Sequence, residues 1–227
     1  MTSSTQLSAS NDIMDDSQVN SIISDICSYW FADHSSTICT NQQKSVLYQA
    51  LWDSIWFGGM YNDNEKHVDE YIRNRFGHHL EKASVGLYDH FRESPMGSLT
   101  LVILFDQFSR NIYRNTPQSY DEKARTITIE CIEKRFDLEL TPIARAFLYL
   151  PLLHSEDVEH QRMSVTLFQQ LSIEFDSKIP VVFSRFARLA VEKRQEIEKY
   201  GRFPKRNKIL GRVSTRQENE DYAFEFH

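Results

Sequence analysis

The sequence predicts an all-α fold, and three observations carry that prediction. Apolar residues recur at three- and four-residue spacings along most of the chain, the period of helices with one buried face. Only seven glycines and six prolines punctuate the 227 residues, too few for an all-β protein that turns roughly every ten residues. The one run apolar on all sides, Ser98 to Phe105, has no second convincing strand to pair with, so a buried central helix is expected there.

In chain order, residues 1–16 are rich in Ser, Asn and Asp and are expected to be a disordered leader. A first amphipathic helix follows through Val19, Ile22, Ile23, Ile26, Tyr29 and Trp30. A second carries Val46, Leu47, Ala50, Leu51 and Ile55, with Gly58-Gly59 as a C-cap. A third runs through Val68, Ile72, Phe76 and Leu80, and continues to Ala83 and Leu87. After the central helix, Tyr120 to Phe136 has a helical stripe. Thr141-Pro142 pairs a capping hydroxyl with proline at the first helical position, and Pro151 should kink or end that helix. Ser155 is the expected cap of the next helix, with Glu156 and Asp157 in its first turn, where acids suit the helix dipole. The last long helix spans about Ile179 to Tyr200. The expected architecture is an irregular stack of about eight or nine antiparallel helices, a single domain over 17–215 followed by a polar tail at 216–227.

A formal charge of −6 argues against generic nucleic-acid binding, which favours a basic surface. The longest purely apolar run, Leu101–Phe105, is far too short to cross a bilayer, so no membrane partner is expected. Cys27, Cys39 and Cys131 are scattered and odd in number, as in a reducing compartment, and the expected location is cytoplasmic.

Three segments set charge beside apolar sequence. In the first, Asp106 directly follows a buried run, with Arg110 one helical turn on and Arg114 one turn further. A carboxylate so placed must be paired, either in a structural i,i+4 bridge or as the anchor of an arginine facing a cavity. The second puts His154, Glu156, Asp157, His160 and Arg162 within nine residues, a workable acid–base set or simply an acid-decorated helix start. Asp157 and His160 have the i,i+3 spacing of a helical di-iron pair, but no second pair is present and no metal ligands are assigned. The third, Tyr200 to Arg212, is a tight basic turn able to gather an anion or to bind the protein's own acids.

Long stretches in order, DQFSRNIYR at 106–114, FLYLPLLHSED at 147–157 and GRFPKRN with ILGR from 201 to 212, resemble domain-of-unknown-function family 924, a helical group with tetratricopeptide-like folds. The resemblance runs from about Val19 to Thr215. It implies that Asp106, Arg110, Asn111, Arg114, Tyr149, His154, Glu156, Asp157, Gln161, Arg162, Arg202, Arg206 and Asn207 match the family's polar motifs. The chain departs from it with Lys205 and Lys193, where histidine is common in the family, and with Tyr200 in place of phenylalanine.

Three functional expectations follow. In the first, a pocket holds a small anionic ligand on Arg110, Arg202 and Arg206, with His154 as base and Glu156 or Asp157 beside it, in a hydrolase or transferase whose cofactor is unknown. In the second, a tetratricopeptide-like groove binds a peptide through exposed Trp52, Trp56 and Tyr61, without catalysis. In the third, the charged residues neutralise one another inside the fold.

Overall fold

A computed structural model describes residues 14–32, 41–56, 65–116, 119–175 and 182–222, and among these the chain is helical with no strand. Most of the leader, Cys39, the Gly58-Gly59 pair, Tyr61 and the expected start of the last helix at Ile179 lie outside the described residues.

Helix α1 (Asp16–Phe31) starts on a capping box, in which the Asp15 carboxylate accepts from the Gln18 amide and the Gln18 side chain accepts from the Asp15 amide. Ordered helix therefore begins inside the segment expected to be disordered. Helix α2 (Asn41–Leu51) runs into a widened turn at Trp52–Trp56. The Trp56 ring is buried, its Nε1 donating to the Trp30 carbonyl, and Trp52 packs edge-on to Phe186. Both described tryptophans of the expected peptide groove thus turn inward, because their rings complete an aromatic core with Trp30, Phe31, Phe108 and Phe147.

Helix α3 (Glu65–Ser84) leads through a turn at Gly86, whose φ of 86° lies in the left-handed region, to the helix at the centre of the molecule. That helix is a continuous rod: α4 (Pro95–Val102), a wide π-helical stretch at Ile103–Phe108 and α5 (Ser109–Ile112). Ser94 caps it by accepting from the Gly97 amide. Every residue from Gly97 to Ser109 is buried, as the all-round apolar run requires.

Helix α6 (Asp121–Glu133) is tied to α7 (Pro142–Leu153) by the Thr128 hydroxyl, which donates to the Leu148 carbonyl. The Thr141 hydroxyl makes no cap bond. Pro151 lies inside α7, which ends two residues later at Leu153, where Gln161 closes its C-terminus. The Gln161 amide donates to the carbonyls of Leu152, Leu153 and Ser155. Helices α8 (Val158–Phe175) and α9 (Val182–Tyr200) pack on α7 and on each other, with Phe168 and Phe186 stacked at 5.5 Å. The expected polar tail instead contains α10 (Arg216–Asp221), held by a Thr215–Glu218 capping box with Glu218 buried.

Among the described glycines the backbone approach is closest at Gly97, where an added Cβ would clash with the Phe91 carbonyl oxygen; at Gly77, within α3, a Cβ would meet nothing. Gly97→Ala is therefore expected to lower unfolding free energy by about 2 kcal/mol or more through backbone displacement. Gly77→Ala should raise it by roughly 0.5–1 kcal/mol through helix propensity. Urea denaturation of the two variants checks both signs.

Candidate functional site

The central rod, the end of α7, the start of α6 and the basic turn meet at one buried carboxylate. Asp106 sits in the π-helical stretch with a side chain 0% exposed. Its Oδ1 accepts from His154 Nδ1 at 2.7 Å and from Arg110 Nη2 at 3.0 Å, and its Oδ2 accepts from the Gln107 amide. Arg110 extends the network to Asp121 at 2.6 Å, the first residue of α6, and Arg206 reaches the other oxygen of Asp121 at 3.4 Å.

Burial alone would push the Asp106 carboxyl up. The charges and hydrogen bonds of His154 and Arg110 outweigh that and hold it far below the usual carboxylate range. Burial, followed by the Arg110 charge, lowers the His154 imidazole against the opposing pull of Asp106. Where His154 is neutral, the state its burial favours, the Arg110 charge and the hydrogen bonds from His154 and Arg110 hold Asp106 ionised. The imidazole then donates from Nδ1 to Asp106 and keeps Nε2 as the nitrogen that can exchange a proton. Burial and the nearby Arg110 charge also lower the Arg206 guanidinium from its ordinary value.

Beside this network lies a cleft of about 320 Å³, walled by Arg110, Arg114, Arg206, Asp121, Tyr113 and the Ile209–Leu210 pair, among others. The remaining motif residues, Arg114 apart, do not line the cleft, and other partners engage them. Arg114 grips Asp69 with two hydrogen bonds, 2.6 and 2.8 Å, and Asn111 donates to the same carboxylate. Glu156 lies on the other side of the turn, accepting from two nitrogens of Arg212 and from the Phe203 amide. The orienting partner of His154 is thus Asp106, not Glu156, because the rod and not the α8 start faces the imidazole. Asp157 is the cap of α8, accepting from the Glu159 and His160 amides, while Ser155 closes the turn before it. His160 Nδ1 engages the Ser155 hydroxyl.

Arg202 and Asn207 both donate to the buried Glu218 carboxylate of α10, which places Arg202 outside the cleft. Tyr149 donates to Asp137 at 2.6 Å within the core. Gln161 serves the end of α7, and Arg162 pairs with Glu159 on the surface. Lys193 pairs with Glu196 and lies over the Phe203 ring, and the Lys205 ammonium lies over Tyr222. Among the described residues no group of three or more His, Cys, Asp or Glu side chains could hold a metal ion.

The sequence reading missed Asp121, which joins two arginines, and Glu218, which anchors two motif residues. Asp121 is an acid in a first helical turn, a position acids commonly take, so nothing local marks it out. Glu218 carried a legible signal, the Thr-x-x-Glu capping-box pattern at 215–218.

A family model described as bacterial protein of unknown function (DUF924) matches residues 26–223. The chain belongs to this family. The solved structure of a protein of unknown function from Agrobacterium tumefaciens is 28% identical, with a TM-score of 0.71. It covers 91% of this chain and 99% of its own. None of the curated proteins matches. No described helix of this DUF924 member is long and apolar enough to cross a membrane.

Two outcomes follow from the geometry. The unfolded chain takes up a proton at His154 near about pH 6.5, whereas the folded chain resists it, so this contribution to stability is intact above that pH and declines below it. Asp106 acts in the same sense at lower pH, its contribution being lost below about 3.9 as the unfolded carboxyl protonates. A ¹³C NMR titration should show the His154 ring neutral at pH values where an exposed histidine is already charged. Separately, Glu156→Gln should speed hydrogen exchange at the Phe203 amide while leaving the His154 titration unmoved.

Proposed function

We propose that the cleft between α5, the start of α6 and the 204–211 turn binds a small anionic molecule. The observation that carries this reading is the charge on its walls: three guanidinium groups, Arg110, Arg114 and Arg206, against a single lining carboxylate, Asp121. Arg206 is the least engaged of the three, with one long 3.4 Å contact to Asp121. The Nε of Arg110 is buried and has no hydrogen-bond partner among the described residues. Asp121 at the first position of α6 also puts a helix N-terminus beside the cleft, where the dipole favours negative charge.

The Asp106–His154 pair extends the reading toward a hydrolase or transferase. Asp106 fixes the tautomer and orientation of the imidazole, and His154, with a side chain 22% exposed, keeps its second nitrogen for proton exchange.

Titration with inorganic phosphate and with acetate, at constant ionic strength against chloride, tests the binding reading through the Arg Nε–H NMR signals. Saturable shifts are expected at Arg206 and Arg110, and Arg206→Gln should weaken binding roughly tenfold, about 1.4 kcal/mol. Shifts no larger than those with chloride, or an unchanged affinity in the variant, contradict the reading.

A further inference from the structure

The cleft has a second character that anion capture does not use. Across from the arginines, Ile209 and Leu210 present side chains to solvent, with residue exposures of 40% and 44%, and Tyr113 adds an aromatic face. Neighbouring apolar residues left this open on a turn otherwise made of Lys, Arg and Asn are a wall without a partner. The charge balance restricts what can sit against that wall. Arg114 is matched by Asp69, and Arg110 and Arg206 together by Asp106 and Asp121, so the cleft carries no surplus charge and Arg206, held by one 3.4 Å contact, is the guanidinium freest to turn to a ligand. One guanidinium suits one planar carboxylate, whereas a dianion would face the carboxylates of Asp121 and Asp106 with its second charge uncompensated.

We infer that the ligand is an amphipathic monocarboxylate, its carboxylate on Arg206 and Arg110 and its aliphatic or aromatic body on Tyr113, Ile209 and Leu210. This rests on the anion-binding reading above and adds the class of molecule.

The test compares propionate, butyrate and hexanoate with inorganic phosphate by NMR titration of the full chain. Full burial of a methylene is equivalent to about fourfold in affinity, and burial on one side to roughly twofold, so hexanoate should bind about eightfold or more tighter than propionate. Hexanoate should also bind more tightly than phosphate. In Ile209→Ser with Leu210→Ser, both exposed positions, the chain-length dependence should flatten, hexanoate losing most of its advantage over propionate. A series flat in chain length, or phosphate outcompeting hexanoate, overturns the inference and leaves the anion site standing. Failure of every anion to bind removes the anion site itself. Sedimentation with phosphatidylglycerol vesicles in the absence of hexanoate binding assigns the apolar wall to a lipid surface and also overturns the inference.

Discussion

A carboxylate with no exposure to water constrains everything around it. Asp106 lies on a helix whose neighbours in sequence are apolar, and an ionised group there is tolerable only if positive charge and hydrogen-bond donors come to it. They come from two directions, Arg110 one turn along the same rod and His154 at the end of α7. The pairing fixes where α7 ends against the rod. Arg110 in turn recruits Asp121 at the start of α6, and Asp121 recruits Arg206 from the turn beyond α9. Elements far apart in the chain are thereby registered on one anion.

The same logic repeats in separate cells. Asp69 is answered by Arg114 and Asn111, Glu156 by Arg212, and Glu218 by Arg202 and Asn207. Removing one partner of such a pair leaves the other without its counter-charge. Glu156, Arg202 and Asn207 thereby hold the basic turn and α10 against the helical stack. Where Arg110, Arg114 and Arg206 approach one another, the network opens onto the cleft. An acidic protein thus has a cleft with arginine walls, since its other acids are spent on partners elsewhere or lie on the surface.

The helical class and the central rod were legible because hydrophobic periodicity is a local property, and the run at 98–105 admits few alternatives. The link from Asp106 to Arg110 was legible for the same reason, as an i,i+4 spacing on one helix. What sequence spacing hides is long-range pairing. Glu156 stands two residues from His154, yet the chain turns between them, so its carboxylate faces Arg212 while the imidazole faces Asp106. Asp157 looked like part of an acid–base set, and the backbone amides of α8 claim it as a cap. Tryptophans such as Trp56 are equally ambiguous in sequence, because a large ring serves a core or a groove equally well until its neighbours are known.

All of this depends on Asp106 being ionised inside the protein. Following its carboxyl carbon by ¹³C NMR, with selective aspartate labelling, tests that most directly. The account predicts a signal fixed at the ionised position as the pH is lowered through about 4, where an ordinary aspartate protonates. A carboxyl that takes up its proton at or above that pH would contradict it.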